Sequence, residues 1–419
     1  MHHLIIGASA AGLNAAAAIR RLRADDRIII VTDEPFPPYW RILVPHYISG
    51  EVTAEALYLP AVEYLDWLSA DLRLGTRVER IDAGGSRAVL EDGSSIYYDR
   101  LLIATGSRPT LPRVPGIEQE GVLALWSLAD GDRIARLAQG ARRVVVIGAG
   151  LIGIGVARAL RRLGLEVTVV ERLSRILPAQ MDETAACLMT DALERCGIRV
   201  RVSEEVTATE GVGSVRGVRL PGEVLPADLL VVATGVRPNL ELVRGTSIAC
   251  AAGILVDDRL RTSVPGVYAA GDVAQGPDIL RGDRRVAAIW PAAAAMGRVA
   301  GRNMAGTDEV YDGSLPMNSL EIDGLPAVSI GVIPGLADSA TGDEELSALD
   351  RGARVYRKIW LKEGLIRGAI LVGDIGAAGP IRELIRRRIP IGAEAASDII
   401  SGRFGFGRWA RSGLWEVSG

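Results

Sequence analysis

Two short stretches have residue types suited to gripping a phosphate with backbone rather than side chains. The first is Gly7-Ala8-Ser9-Ala10-Ala11-Gly12, which follows the apolar Leu4-Ile5-Ile6 and opens an Ala-rich segment. The second, Gly148-Ala149-Gly150-Leu151-Ile152-Gly153, follows Val144–Ile147. A pyrophosphate seated on backbone N–H groups at a helix N-terminus tolerates only tiny side chains at the turn. The second stretch is a complete G-x-G-x-x-G, whereas Ser9 stands at the middle glycine of the first. Each is followed by a strand that ends in acid: Asp33-Glu34 after Arg27–Thr32, and Glu171 after Val167–Val170. A carboxylate there accepts hydrogen bonds from an adenosine ribose. Glu171 also repels a 2′-phosphate and so favours NADH over NADPH, a preference the adjacent Arg172 softens. One such turn alone reads equally well as a ligand-free strand-to-helix junction; the second fingerprint and the two acidic strand ends weigh against that.

The elements that must position these residues repeat one plan. A helix over Ala10–Leu22, with Arg20, Arg21 and Arg23 at its negative pole, follows the first turn. A small antiparallel meander over 72–98 comes next, and then a buried strand that closes on Ala104-Thr105-Gly106. In the second half, Ala233-Thr234-Gly235 closes the corresponding strand after the linker prolines Pro109, Pro112 and Pro115 and a helix over Ser127–Leu137. Within the first half of this plan, directly after Asp33-Glu34, Pro35–Glu51 reads as an ordered loop carrying Tyr39, Trp40, Arg41 and His46. Such a loop either stacks on a ring and pairs with a phosphate, or is a proline-rich surface crossover. Further on, Gly271-Asp272 delivers one carboxylate suited to a polyol. Trp290-Pro291 then opens a small-residue helix, Ala292–Met304, whose positive end can stabilise negative charge on a reduced ring.

The last hundred or so residues differ in character. Strands over Val355–Leu361 and Ile366–Val372 flank a turn at Gly364, and a helix over Ile381–Arg388 carries Arg382, Arg386, Arg387 and Arg388. That basic helix is either a solvated face or a dock for an acidic redox protein. In bulk, 419 residues at 48% hydrophobic and 24% charged make an ordinary globular chain of two or three domains. A net charge of −3 gives no reason to expect nucleic acid or an anionic membrane. A strand that begins almost at Met1, with no long apolar run elsewhere, leads to a cytoplasmic expectation. Cys187, Cys196 and Cys250 are isolated, without the spacing of a disulfide scaffold, a zinc site or an iron–sulfur site, so no metal is expected.

Two fingerprints, two Ala-Thr-Gly turns and Gly271-Asp272, in this order, resemble the two-dinucleotide flavoproteins of the pyridine nucleotide-disulfide oxidoreductase superfamily across essentially the whole chain. The resemblance implies an α/β protein with two Rossmann-like domains, one for FAD and one for NAD, plus a small α+β C-terminal interface domain. It places the FAD domain at 1–111 and 240–312, the NAD domain at 112–239 and the C-terminal domain at 313–419. Carried over, Gly7, Ser9, Ala10, Ala11, Gly12 and Asp33 or Glu34 hold the ADP half of FAD, and Arg41 approaches its pyrophosphate. Ala104, Thr105, Gly106, Trp290 and Pro291 border the same cofactor, and Asp272 binds the ribitol. Gly148, Gly150, Leu151, Ile152, Gly153, Glu171, Arg172 and Gly235 surround NAD. His46 falls where several ferredoxin reductases have a lysine beside the flavin; a loop histidine satisfied by backbone is the competing reading. Gly155 stands where many members have a glutamate beside the nicotinamide, so that contact is not carried over.

The sub-branch follows from an absence in the sequence. Residues 1–186 contain no cysteine, so neither the dithiol of disulfide reductases nor the single thiol of peroxide-linked members is present. The segment Glu34–Arg41, with Lys358-Ile359-Trp360-Leu361 and Gly368–Asp374, is similar to the rubredoxin reductase, ferredoxin reductase and nitrite reductase flavin-module branch. It also resembles the flavoprotein subunit of phenylglyoxylate-type 2-oxoacid dehydrogenases. The activity this implies is hydride transfer between NAD(H) and FAD, with single-electron transfer to an iron–sulfur or rubredoxin-like protein or subunit, in an oligomer or hetero-complex. An NADH oxidase using oxygen directly and an NADH-responsive flavoprotein scaffold are the alternatives.

Overall fold

A computed structural model describes residues 1–59, 66–334 and 344–405. The chain forms two units, one from Met1–Pro109 with Val236–Ser314, the other from Thr110–Gly235 with Leu315–Gly419.

In the first unit five parallel strands stand in the order Val267–Ala269, Arg100–Ile103, His2–Ile6, Arg27–Val31, Asp71–Arg73. Runs such as Leu4-Ile5-Ile6 and Ile28–Val31 are continuous rather than alternating because helices cover the sheet and bury it. Full burial of each such side chain is worth about 1.5–3 kcal/mol. The helix Ala10–Leu22 forms where it is expected: alanine loses no side-chain entropy in a helix. It packs on the helix Trp290–Met304 through glycine and alanine. A Cβ on Gly297 would lie 2.2 Å from the Ala11 carbonyl oxygen, and one on Gly301 2.3 Å from that of Ala15. The backbones therefore touch, and Gly297 and Gly301 set the helix spacing.

The second unit has the same switch in strand order. Its parallel sheet runs Ile198–Val202, Glu166–Glu171, Arg143–Ile147, Leu229–Val232, Val122–Ala124. In both sheets the fingerprint strand sits between the strand that follows it and one that arrives much later, and open α/β sheets bind ligands at that switch point. The unit also holds an antiparallel sheet, ordered Met317–Ile322, Leu325–Gly331, Leu365–Val372, Val355–Lys362, Glu344–Asp350. Helices Ala378–Arg386 and Ala393–Ser401 pack on it.

Three expectations are revised. Within Pro35–Glu51 the chain makes a 3-10 turn, Arg41–Leu43, and a short helix, Val44–Ile48, instead of staying a loop throughout. Pro45 lies in that helix's first turn, where its missing N–H would have no partner anyway. The antiparallel meander is confined to 78–97, because Asp71–Arg73 joins the parallel sheet. The basic helix starts earlier, at Ala378, and ends at Arg386.

Candidate functional site

Each unit builds one half-site at its switch point. In the first, Gly7 has φ +114°, and a Cβ there would lie 2.2 Å from the Ala104 carbonyl oxygen. A Cβ on Gly12 would lie 1.9 Å from the carbonyl oxygen of Gly7. The second unit repeats this contact for contact: Gly148 against the Ala233 carbonyl at 2.3 Å, and Gly153 against Gly148 at 1.9 Å. The first and last glycines of each fingerprint are thus demanded by the protein's own backbone. Gly150 is different, since nothing lies within 4 Å of where its Cβ would be. That open space at a helix N-terminus has the room and the backbone donors a pyrophosphate needs, and the small Ser9 is the counterpart of Gly150 in the first unit.

Side-chain caps distinguish some helices from those that open at these places, although Ala378–Arg386 and Ala393–Ser401 also start without one. Helices Leu128–Ala138 and Glu183–Arg195 are capped by side chains, Ser127 with Asp130 in one and Asp182 in the other. The helices that begin after Ser9, Gly150 and Ile289 have no side-chain cap hydrogen bond. Their leading N–H groups point from three glycine- or alanine-rich starts with positive helix-end charge, a donor set that suits anionic cofactors.

Around the first cradle, Glu34 accepts from the Tyr39 hydroxyl at 2.6 Å and from the Arg41 guanidinium. Burial works against the Arg41 charge, and Glu34, Tyr39 and Asp272 together outweigh it. Asp272 accepts from the Ser107 hydroxyl at 2.7 Å; burial pushes its carboxyl up, while Ser107 and Arg41 pull it partly back. The structure so brings Glu34, Arg41, Asp272 and Ser107 into one polar cluster. Trp40 and Trp290 lie with ring centroids 5.2 Å apart, which fixes Trp290-Pro291 beside the same segment. The Ala104-Thr105-Gly106 turn is held by Asn239, whose side-chain amide donates to the Thr105 carbonyl at 2.8 Å. His46 is half exposed on the short helix, with Nδ1 2.9 Å from Glu51.

The two strand ends are offset. Gly7 N–H donates to the Val31 carbonyl, and Gly148 N–H to that of Val170, so Thr32 stands where Glu171 does and exposed Asp33 matches exposed Arg172. Glu171 accepts from Ala149 N–H at 2.8 Å and from Leu173 N–H at 2.9 Å, which locks its carboxylate across the second fingerprint. Glu34 is tied to the loop that follows, leaving Asp33 as the accessible carboxylate at that strand end. Gly235 closes the second Ala-Thr-Gly turn at φ +107°. Ser107 and Asn239 were not singled out from the sequence. The signal was a hydroxyl directly after Ala-Thr-Gly and an amide four residues after its repeat.

A family model, pyridine nucleotide-disulphide oxidoreductase, matches residues 1–297. The chain belongs to that family. A second model, the rubredoxin NAD+ reductase C-terminal domain, matches residues 316–389 of this oxidoreductase. The oxidoreductase is 32% identical over 419 residues to the epsilon subunit of the NADH-dependent phenylglyoxylate dehydrogenase of Aromatoleum evansii, covering 99% of this chain and 98% of the relative. It is 30% identical to the ferredoxin–NAD(+) reductase component of the Paraburkholderia xenovorans biphenyl dioxygenase system, covering 94% and 95%. A crystal structure of a ferredoxin reductase from Rhodopseudomonas palustris superimposes with a TM-score of 0.87 at 28% identity, over 95% of this chain and 97% of that one. The protein is therefore an FAD-dependent NAD(H) oxidoreductase of α/β fold, and both cradles fit the dinucleotides that the family binds. Among the described residues no helix is long and apolar enough to cross a membrane, and no group of His, Cys, Asp or Glu is placed to hold a metal ion.

Proposed function

We propose that the first unit holds FAD, the second holds NAD(H), and the chain passes electrons between them and an iron–sulfur or rubredoxin-like protein or subunit. The observation that carries the acceptor is the rubredoxin-reductase C-terminal domain in a chain whose first 186 residues lack cysteine. The fingerprint, its helix and the loop after Asp33 carry no thiol to form a dithiol or a sulfenate, so disulfide and thiol-based peroxide reduction are set aside. The names of the two near-full-length relatives, a dehydrogenase subunit and a ferredoxin reductase, support the same class of partner.

When bound, the two cofactors supply hydride transfer between nicotinamide and flavin and single-electron steps outward. The chain's residues bind and orient. Backbone N–H groups behind Gly7, Ser9, Ala10, Ala11 and Gly12 take the FAD pyrophosphate, with Arg41 beside it. Asp33 takes the adenosine ribose, and Asp272, aimed by Ser107, takes the polyol. The helix start at Trp290-Pro291 directs its positive end at negative charge on the reduced ring. In the second unit Gly148–Gly153 cradle NAD(H), and Glu171 selects a free 2′-hydroxyl, with Arg172 alongside. The match over the full length of a dehydrogenase subunit supports a role as the NAD-coupling subunit of a phenylglyoxylate-type 2-oxoacid complex, in which electrons run toward NAD+. Three cysteines outside any disulfide suit the reducing cytoplasm.

The test is anaerobic mixing of the yellow protein with NADH, followed by air. Rapid bleaching with slow recovery supports an electron transferase awaiting a protein acceptor. Rapid recovery in air overturns that reading in favour of a direct NADH oxidase. A flavin that stays oxidised under NADH overturns it in favour of a nucleotide-responsive scaffold.

A further inference from the structure

Between Glu171 and the helix Glu183–Arg195 the chain passes through a segment, 172–182, that folds back on the second fingerprint. Leu173 N–H donates to Glu171 Oε1 at 2.9 Å, and Leu177 N–H donates to the Ala149 carbonyl at 2.9 Å with Leu177 at φ +48°. Arg175 is buried and spends its guanidinium on the segment itself, donating to the Met181 carbonyl at 2.9 Å. The start and the middle of the segment are thus tied to the turn that faces the pyrophosphate. Its far end is Asp182.

Asp182 has two tasks, one for each oxygen. Oδ1 accepts from Ala185 N–H at 3.0 Å and caps the helix. Oδ2 accepts from the Tyr356 hydroxyl at 2.6 Å and lies 3.4 Å from Lys358 Nζ. Tyr356 and Lys358 belong to the strand Val355–Lys362 of the C-terminal sheet, remote in sequence from the nucleotide fold. Tyr356 is 4% exposed, and burial together with Asp182 pushes its hydroxyl far above the ordinary range, so it remains the donor. Lys358 is held in turn by Glu345 at 2.7 Å and lies 4.7 Å from the Trp360 ring centroid; Trp360 donates to Glu345 at 3.0 Å. At the other end of the helix, Arg195 meets Asp323 at 3.0 Å, but both side chains are exposed and water screens the pair. The enclosed contact is the one at Asp182.

We propose that Tyr356, supported by Lys358, is a positioning residue for the nicotinamide nucleotide, fixing Asp182 and through it the 172–182 segment against the fingerprint turn. This rests on the reading that Gly148–Gly153 and Glu171 hold NAD(H). Removing the Tyr356 hydroxyl leaves the cap on Oδ1 and only the longer Lys358 contact on Oδ2, so the segment gains freedom that nucleotide binding must then remove. Linkage makes the effect reciprocal: a bound nucleotide stiffens the strand Val355–Lys362 of the C-terminal sheet.

The experiment uses the FAD-loaded full chain and ADP-ribose, a redox-inert probe, with binding read by calorimetry. Tyr356→Phe is expected to raise the Kd for ADP-ribose about five- to tenfold and the KM for NADH in step, with kcat at saturating NADH unchanged. In the parent protein, ADP-ribose is expected to slow amide exchange across 355–362, and Tyr356→Phe to abolish that protection. Lys358→Met gives the same reading by a second route, with a smaller rise, should Tyr356→Phe fold poorly. An unchanged Kd with a lowered melting temperature makes Tyr356 merely structural and overturns the proposal. Gly150→Val tells the two failures apart. If it abolishes ADP-ribose binding while Tyr356→Phe does not weaken it, the positioning role alone fails; if Gly150→Val also binds normally, the nucleotide assignment itself is wrong.

Discussion

The Ser107 hydroxyl donates to Asp272 Oδ2 at 2.7 Å, joining two residues that are 165 positions apart in the sequence. The bond aims a carboxylate that the fold alone does not favour, since burial raises the Asp272 carboxyl above its ordinary value. A raised folded-state value means the ionised group costs stability at neutral pH, and the cost fades as pH falls through that value. In flavin-free protein, Asp272→Asn is therefore expected to melt about 2–4 °C higher at pH 7, roughly 1 kcal/mol for a unit of this size. The gain should shrink on acidification, while FAD retention drops at least about tenfold. Melting curves over a pH series, with flavin content read by absorbance, check this; a pH-independent gap assigns the effect elsewhere.

Glycines of one fingerprint should respond in opposite ways. Gly153→Ala drives a Cβ to 1.9 Å from the Gly148 carbonyl oxygen, so the nucleotide unit should lose about 3 kcal/mol or fail to fold. Gly150→Val meets open space, so folding should survive within about 0.5 kcal/mol while NADH affinity falls more than about tenfold. Thermal melts set beside NADH titrations separate the two outcomes.

Glu171 spans the fingerprint through Ala149 N–H and Leu173 N–H. Glu171→Ala removes the repulsion toward a 2′-phosphate and leaves exposed Arg172 to attract it. The NADPH-to-NADH ratio of kcat/KM should rise about tenfold. Steady-state kinetics with both nucleotides decide it, and an unmoved ratio removes Glu171 from cofactor selection.

The spacing of the helices Ala10–Leu22 and Trp290–Met304 offers a test of the flavin unit that leaves every polar group in place. Gly301→Ala would set a methyl 2.3 Å from the Ala15 carbonyl oxygen and force the helices apart. A loss of about 2–3 kcal/mol is expected. Because the same two helices begin at Ser9 and Trp290, FAD release on heating should precede unfolding. Flavin fluorescence and circular dichroism followed in one heating ramp report the order.

Much of this arrangement is legible in the chain because the local rules agree with one another. The first helix spans Ala10–Leu22 as its alanines and terminal arginines indicate. The tie between each fingerprint and its Ala-Thr-Gly turn is the contact of Gly7 with Ala104, and of Gly148 with Ala233. What escapes a linear reading depends on segments that meet only after folding. Ser107 gains its meaning from Asp272, and Asp182 from Tyr356. The helix Val44–Ile48 is hidden by prolines that mark a loop everywhere except in a first turn. The match of Thr32 with Glu171 emerges only when the Gly7 and Gly148 amide partners are compared, because the two residues lie 25 and 23 positions after those glycines.

All five parallel strands of the nucleotide sheet lie within residues 122–202 and 229–232, one continuous stretch of translation. The flavin sheet, although it starts at His2, lacks its edge strand until Val267–Ala269 and its covering helix until Trp290–Met304. On the ribosome the order of maturation is therefore inverted. The half-built first sheet must wait, its edge strand and covering helix still to come, while the strands of the inserted nucleotide sheet behind it are completed, and the first unit cannot close until residue 304 has been made.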